Sequence, residues 1–191
     1  MSVRSPQNYF SLEEYLALEK ASERRWEYWN GEVVCMSGGS PEHTLICSNL
    51  QRRLNQAFEG SGCRVFTEGA PIDTPSLPPY RYPDASVVCG NPEFRTIGGI
   101  GALTNPVLIV EVLSPTTETA DRGAKFEAYK EIPSFSEYIL IESDSRYVVH
   151  YVKRPDGIWE GKAHIDGTIR FACADCTLSI EEIYEGISVG V

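Results

Sequence analysis

No stretch of this 191-residue sequence is apolar for long enough to cross a bilayer, which takes about 18 consecutive apolar residues. The first residues, Met1 to Pro6, also lack the apolar core of a signal peptide. From these two absences we expect a cytoplasmic protein that does not act at a membrane.

Positive charge is scarce as well. The sequence has 17 Lys and Arg residues against 27 Asp and Glu residues, a formal net charge of −10. Proteins that coat nucleic acid present a basic surface, so the charge argues against tight, nonspecific DNA binding. It does not argue against a nuclease, because carboxylates that hold divalent cations become locally positive once loaded. The local basic residues are Arg52, Arg53, Arg122, Lys125 and Lys130.

The six cysteines lack a disulfide framework and a zinc motif. Only Cys173 and Cys176 have the spacing of metal ligands, and no second pair or His-x-His motif completes a tetrahedral site. This pair lies near the end of the sequence rather than at the start of a helix after a first strand, which argues against a thioredoxin-like redox role. We therefore predict reduced structural thiols.

Phosphate-cradling glycine motifs are also missing. The run Gly98-Gly99-Ile100-Gly101 has neither the Gly-x-Gly-x-x-Gly spacing nor a following Lys-Ser or Lys-Thr. Without a glycine-rich turn from strand to helix, a nucleotide-binding enzyme of Rossmann type is excluded. The surrounding segment, 91–105, has little periodicity and is predicted to be a mobile surface loop.

What the sequence does contain predicts one domain over 1–191, an α/β fold with a mixed α+β sheet. An N-terminal helix begins at a capping box of Ser11 and Glu14, and a hairpin turns at Asn30-Gly31, so this part spans 10–36. A core at about 42–153 and C-terminal strands with a short helix at 154–191 follow. The predicted core elements are a helix at 42–59, strands at 63–73, a proline-rich loop at 75–83, strands after Asp84 and around Glu111, a helix at 118–132, and strands at 137–142 and 147–153. A weaker strand pair at 157–162 and 168–172 is expected to complete the sheet.

Two carboxylates stand in apolar strands. Asp84 precedes the run Ala85 to Val88, and Glu111 lies within the run Pro106 to Leu113. A carboxylate among buried strand residues is costly unless it is paired, hydrogen-bonded or bound to a metal. Neighbouring strands lie about 4.8 Å apart, so the two carboxylates could converge on one cation. Mg²⁺ suits such oxygen ligands, since it keeps several waters and needs only one or two protein carboxylates.

Several short motifs occur in a characteristic order. They are Trp26-Glu27-Tyr28-Trp29-Asn30-Gly31-Glu32, His43 after Pro41-Glu42, Tyr82-Pro83-Asp84, Ile109-Val110-Glu111-Val112-Leu113-Ser114-Pro115-Thr116-Thr117, Asp121-Arg122 with Lys125 and Tyr129, and Glu137-Tyr138. This order resembles the PD-(D/E)XK nuclease core, and more closely the Uma family of restriction-endonuclease-like proteins common in cyanobacteria. The resemblance covers roughly residues 10–153.

The resemblance implies a restriction-endonuclease-like core and an enzyme that hydrolyses DNA phosphodiester bonds with Mg²⁺, for which Mn²⁺ can substitute. It implies Asp84 and Glu111 as metal ligands, and we add the Val112 carbonyl as a third. Glu27 and His43 match motif positions and join Asp84, Glu111 and Lys125 as expected catalytic residues. A homodimer is expected by analogy with nucleases that cut both strands.

One position departs from the superfamily pattern, which has a lysine two residues after the acidic residue of the second strand. Leu113 stands there, so the group that positions the attacking water is missing. Related families place this lysine on the following helix, which makes Lys125 the candidate replacement. Asp121, Lys125 and Tyr129 line one helix stripe. Lys125 could equally be a solvated partner of Asp121, and Tyr129 is interpreted as a core aromatic with a hydrogen-bonded hydroxyl.

Alternatives stay open for the other residues. Asp84 could serve a turn after a proline. His43 lies at the start of a helix, where it could cap the helix or act as a metal ligand or base. Glu27 could reach the metal pocket or form a structural salt bridge. The alternative is that the protein has a nuclease fold but is catalytically weak or inactive, and acts as a nucleic-acid-binding or regulatory module.

Overall fold

A computed structural model describes residues 9–23, 26–29, 31–35, 39–67, 69–76, 80–114 and 117–190. The helical elements are α1 (Leu12–Ala21), α2 (Pro41–Ala57), α3 (Glu118–Ala120), a π-helical turn (Asp121–Lys125), α4 (Phe126–Lys130) and α5 (Ile180–Ile183). The strands are β1 (Trp26–Trp29), β2 (Glu32–Cys35), β3 (Cys63–Thr67), β4 (Ile72–Asp73), β5 (Tyr80–Arg81), β6 (Ala85–Cys89), β7 (Phe94–Ile97), β8 (Ile100–Leu103), β9 (Leu108–Val112), β10 (Glu137–Ile141), β11 (Val148–Lys153), β12 (Trp159–His164), β13 (Thr168–Arg170) and β14 (Thr177–Ser179). None of the helices in these ranges could span a membrane.

The predicted mixed α+β architecture is confirmed. Six strands form the main sheet in the order β12-β11-β10-β9-β6-β3, in which β9 and β10 are parallel and the other neighbours are antiparallel. The parallel pair requires a crossover, which the helical segment from α3 to α4 supplies. This crossover brings the end of β9 beneath the π-helical turn.

Alternation along β9 divides the core into two layers. Val110 and Val112 face α2, whose apolar stripe of Ile46, Leu50 and Leu54 is buried. Ile109, together with Leu113 just after the strand, faces the opposite layer beneath α4. Because side chains alternate along a strand, Glu111 also belongs to the α4 side of the sheet.

The N-terminal helix and hairpin form a third cluster with a four-stranded sheet of order β5-β4-β8-β7. The predicted capping box of Ser11 and Glu14 is confirmed. Glu19, buried on α1, accepts hydrogen bonds from the Tyr82 hydroxyl at 2.8 Å and the Trp26 amide at 2.9 Å. These bonds fix the hairpin against the segment that leads into β6. The turn residue Asn30 of the predicted hairpin lies outside the described residues, as does Met36 at the end of the predicted segment 10–36.

Three of the predicted loop and strand assignments were wrong. The segment 91–105 is a β-hairpin, β7 and β8, rather than a mobile loop. Its strands are short and β7 is largely exposed, so no clear alternation marks it in the sequence. The proline-rich segment 75–83 contains β5, which pairs with β4. In the third case, the predicted C-terminal strand pair, β12 extends the main sheet as expected, but β13 does not join that sheet and pairs with β14 instead.

The prediction that all cysteines are reduced was also wrong. Cys63 and Cys89 face each other in the register of β3 and β6 and form a disulfide. They lie 26 residues apart in sequence, so their proximity depends on strand pairing that spacing alone does not reveal. Cys35, Cys47, Cys173 and Cys176 are not disulfide-bonded.

Candidate active site

The antiparallel register of β6 and β9 brings the two predicted acidic residues to the same end of the sheet. Ala85 pairs with Val110, so Asp84 stands one position beyond the last paired residue of β6, next to Glu111. One oxygen of Asp84, Oδ2, accepts a hydrogen bond from the Val112 amide at 2.6 Å. The alternative that Asp84 only serves a turn was therefore wrong. Its carboxylate is hydrogen-bonded to the neighbouring strand, and this bond fixes it beside Glu111.

Glu111 is almost fully buried and is held by two groups from the helical crossover. The Tyr129 hydroxyl donates to its Oε1 at 3.0 Å, and the Lys125 ammonium lies 3.4 Å from its Oε2. The interpretation of Tyr129 as a core aromatic with a bonded hydroxyl is confirmed, since its ring is fully buried. Both contacts come from the predicted helix stripe, which faces the Glu111 strand.

Lys125 is enclosed by three carboxylates. Its Nζ lies 2.7 Å from Asp121 Oδ1, 3.0 Å from Glu27 Oε1 and 3.4 Å from Glu111 Oε2. The side chain is 3% exposed, so the interpretation of a solvated partner of Asp121 was wrong, although the pairing itself is present. Asp121 and Lys125 begin and end the π-helical turn, a feature that often occurs at functional sites.

The burial of Leu113 gives a physical reason why no lysine stands at this position of the strand and why Lys125 approaches Glu111 from the helical crossover. The residue is 2% exposed and packs in the cluster beneath α4, on the same side of the sheet as Glu111. An ammonium at this position would need to be buried among apolar side chains. The Lys125 ammonium reaches the Glu111 carboxylate from above instead, as the displaced-lysine hypothesis expects.

The ionisation of the cluster follows from burial and from its charges. Burial raises the pKa of Glu111 well above its usual value, and the neighbouring carboxylates of Asp121, Asp84 and Glu27 raise it further, against the effect of Lys125. For Lys125, burial opposes the charge, but the surrounding carboxylates prevail and its pKa lies well above the usual value. Burial likewise raises the pKa of Asp84. Both carboxyl groups therefore tend towards their protonated forms when no cation is bound, and a bound cation would stabilise their charged forms.

His43 lies on the α2 side of the same strand. Its Nε2 is 3.0 Å from the Val112 carbonyl oxygen and 3.8 Å from Asp84 Oδ1. The backbone amide of His43, not its ring, takes part in capping α2, since it donates to the Ser40 hydroxyl at 3.2 Å. The imidazole is therefore free to act in the site, where it contacts the carbonyl that we expected to be a metal ligand.

Two residues near the site were missed by the sequence analysis. The Cys47 thiol lies 3.6 Å from His43 Nδ1 and 3.7 Å from Asp84 Oδ1. Its position four residues after His43 on a helix is a signal that could have found it. Arg81, which is 5% exposed, interacts electrostatically with Glu27, Glu111 and Tyr129. No pattern around Arg81 distinguishes it in the sequence.

The fold of this chain is similar to one already known. It matches a crystal structure described as a "putative nuclease belonging to DUF820" from Anabaena variabilis ATCC 29413, with a TM-score of 0.68 and 23% identity, and the match covers 91% of this chain and 97% of that one. This match shows that the two chains share a restriction-endonuclease-like fold.

Two relatives from Synechocystis sp. (strain ATCC 27184 / PCC 6803 / Kazusa) are similar in sequence. The uncharacterised protein slr1290 is 35% identical over 83% of this chain and 82% of its own length. The uncharacterised protein sll1609 is 32% identical over 83% of this chain and 89% of its own length. Residues 12–176 match the sequence model of Uma2, a family described as "Putative restriction endonuclease". The chain therefore belongs to the Uma2 family, as the order of its motifs predicted.

Proposed function

We propose that this protein is a magnesium-dependent endonuclease that hydrolyses phosphodiester bonds in DNA. The observation that carries the proposal is the contact between Glu111 and Lys125 beside Asp84. Two carboxylates on adjacent strands and one ammonium are the groups that the PD-(D/E)XK pattern brings together, here with the lysine supplied by the helical crossover. Membership of the Uma2 family supports the same function.

The residues fit a hard divalent cation, either Mg²⁺ or Mn²⁺. Four carboxylates (Glu27, Asp84, Glu111 and Asp121) surround the site, whereas only Lys125 and Arg81 contribute positive charge within the described cluster. Asp84 and Glu111 would hold the metal, and the Val112 carbonyl is the third proposed ligand. When bound, such a cation acidifies a water molecule and offsets negative charge on the phosphate.

Lys125 acts in this proposal as a cation and hydrogen-bond donor rather than as a base. The surrounding carboxylates raise its pKa well above the usual value despite its burial, so the ammonium stays protonated at neutral pH. A fixed ammonium can orient a water molecule and stabilise negative charge that develops on the phosphate. Asp121 and Glu27 keep it in place through contacts of 2.7 and 3.0 Å.

His43 acts as a positioning residue. Its ring contacts the Val112 carbonyl, and the Val112 amide in turn bonds Asp84, so the three groups are fixed relative to one another. Asp84 and His43 have side chains that are 17% and 16% exposed, whereas those of Glu111 and Lys125 are each 3% exposed. Substrate would therefore approach from the side of Asp84.

Three of the basic residues noted in the sequence are engaged with acidic side chains. Arg52 contacts Glu185 at 2.6 Å, Arg53 contacts Glu182 at 3.0 Å, and Arg122 contacts Glu118 at 2.9 Å. The proposed enzyme therefore depends on its bound cations, more than on a basic surface, to hold the phosphate backbone. One site addresses one strand, so we include a homodimer in the proposal for cleavage of both strands.

Plasmid nicking by the purified protein tests the proposal. With Mg²⁺ or Mn²⁺, supercoiled plasmid should become nicked, and a chelator should stop the reaction. Asp84→Asn and Glu111→Gln should each abolish nicking, whereas Glu160→Gln, an exposed carboxylate on the outermost strand β12, should leave the rate unchanged. Nicking that survives both site substitutions would indicate a contaminating nuclease and overturn the proposal. Metal binding without nicking would instead favour the inactive binding or regulatory module.

A further inference from the structure

A second group of potential metal ligands adjoins the Glu111 cluster on the other face of the sheet. His43 and Cys47 lie one turn apart on α2, and both face the carboxylate of Asp84. One ligand atom from each of these three residues lies within 4.8 Å of the others. Among the described residues, no other set of three His, Cys, Asp or Glu side chains converges in this way.

The backbone of Val112 orients two of the three side chains. A carbonyl oxygen can only accept a hydrogen bond, so the contact of 3.0 Å between His43 Nε2 and the Val112 oxygen places the proton of the neutral ring on Nε2. The lone pair of the ring then lies on Nδ1, which faces Cys47 Sγ. Ligating histidines commonly donate their other ring N–H to a backbone carbonyl in this manner.

Asp84 is oriented by the backbone amide of the same residue. Its Oδ2 accepts from the Val112 amide at 2.6 Å, which turns Oδ1 towards Cys47 Sγ at 3.7 Å. One nitrogen, one sulfur and one oxygen thus face a common point, and the carbonyl and the amide of a single residue hold two of them. Backbone partners of the kind that orient metal ligands are thus present for His43 and Asp84.

Two of the separations among these atoms match a tetrahedral zinc site. Zinc binds histidine nitrogen and carboxylate oxygen at about 2.0–2.2 Å and cysteine sulfur at about 2.3 Å, so ligand atoms around it lie roughly 3.3–3.8 Å apart. The distances from Cys47 Sγ to His43 Nδ1 and Asp84 Oδ1, 3.6 and 3.7 Å, fall within this range. We propose that His43, Cys47 and Asp84 form a site for Zn²⁺ or a similar transition metal, with the fourth position open.

The two sites differ in ligand chemistry and share one residue. A thiolate and an imidazole select zinc or cobalt over magnesium, whereas the groups around Lys125 offer only oxygen. Asp84 cannot direct its Oδ1 to both positions. If the proposed nuclease function holds, Zn²⁺ at His43 and Cys47 withdraws Asp84 from the magnesium site and inhibits cleavage. The binding of zinc itself does not depend on that function.

Cobalt provides a direct probe of the site. Metal-free protein titrated with Co²⁺ should develop the visible bands of tetrahedral cobalt and a thiolate-to-cobalt charge-transfer band, and Zn²⁺ should remove both. Cys47→Ser should abolish the charge-transfer band and weaken zinc binding by at least roughly tenfold, by analogy with the loss of outer-shell partners. Cys176→Ser, a free and partly buried thiol elsewhere, serves as the matched control and should retain both bands.

Two further measurements keep the outcomes distinct. Zn²⁺ should protect Cys47 of the native protein from alkylation, located by peptide mass, even if the variant fails to fold. Glu111→Gln should still bind Co²⁺ while losing magnesium-dependent nicking, which separates this site from the proposed nuclease site. The proposal is overturned if cobalt gives no charge-transfer band, if the band survives in Cys47→Ser, or if Zn²⁺ leaves Cys47 unprotected.

Discussion

Lys125 approaches Glu111 to 3.4 Å from the helical crossover rather than from the strand that carries Glu111. The ammonium is buried with three carboxylates, and its removal leaves them without their shared cation. Breaking a buried ion pair by removing one partner costs about 3–5 kcal/mol. The contact is therefore a structural element of the fold as well as a part of the proposed active site.

We expect Lys125→Met to lower the free energy of unfolding by about 3–5 kcal/mol at neutral pH and to abolish nicking. The stability can be measured by urea denaturation. Lys162→Met, which removes an exposed lysine from β12, should change stability by less than about 0.5 kcal/mol. A Lys125→Met protein as stable and as active as the native protein would contradict both roles of this residue.

Tyr129→Phe removes only the hydroxyl that donates to Glu111 at 3.0 Å. Both groups are buried, so the loss should reduce stability by about 1–3 kcal/mol, the cost of leaving a buried hydrogen-bonding group unsatisfied. Nicking should slow by about tenfold, the equivalent of roughly 1.4 kcal/mol in the barrier. Tyr147→Phe, at an exposed residue, is the control. An unchanged nicking rate in Tyr129→Phe would show that the hydroxyl does not position Glu111.

Glu19→Ala tests whether α1 holds the hairpin that carries Glu27. The substitution leaves the Tyr82 hydroxyl and the Trp26 amide without this acceptor, at a cost of about 1–3 kcal/mol for each such group that stays unsatisfied. Hydrogen exchange should accelerate in β1 and β2, while the amides of β9 and β10 stay protected. Glu13→Ala, at an exposed position of the same helix, should leave exchange in the hairpin unchanged. Equal exchange in the two variants would rule out this anchoring role.

Glu137 predicts a pH dependence of stability. Burial favours its protonated form, but hydrogen bonds from His150 and from the Cys173 amide outweigh this, so the pKa of Glu137 lies below its usual value of 4.5. Its contribution is therefore complete above about pH 4.5 and is lost as the pH falls through the lowered pKa.

The expected cost of Glu137→Gln is about 1.5–3 kcal/mol at neutral pH, and the difference from the native protein should shrink below pH 4.5. Urea denaturation across a pH series measures it, with Glu160→Gln as the exposed control. A difference that grows on acidification would have the wrong sign and would contradict the lowered pKa.

Much of the fold could be predicted because its patterns are local. The capping box of Ser11, the apolar stripe of α2 and the apolar runs around Asp84 and Glu111 each reflect one element at a time. The Cys63–Cys89 disulfide and the contact of Cys47 with Asp84 depend instead on how distant elements pair and pack. The extent of the domain, one unit over 1–191, stays a prediction, as do the catalytic roles and the homodimer.

The site showed the same division between local and distant information. Related families suggested Lys125 as the candidate for the displaced lysine, but its burial among three carboxylates requires the hairpin to bring Glu27 to it. The motif around Glu27 left open whether this side chain reaches the metal pocket or forms a salt bridge, and it did not indicate Lys125 as the partner. Leu113 was recognised as a departure, yet only its burial beneath α4 gives the departure a physical cause.

The alternation along β9 restricts how this family can change over evolution. Glu111 contacts Lys125 on one face of the sheet, while the backbone of the next residue, Val112, contacts His43 and Asp84. Inserting or deleting a single residue within the strand would exchange its two faces and dismantle both sets of contacts at once. Among relatives, we therefore expect insertions and deletions to occur in surface hairpins such as β7–β8 and to be absent from the strand that carries Glu111.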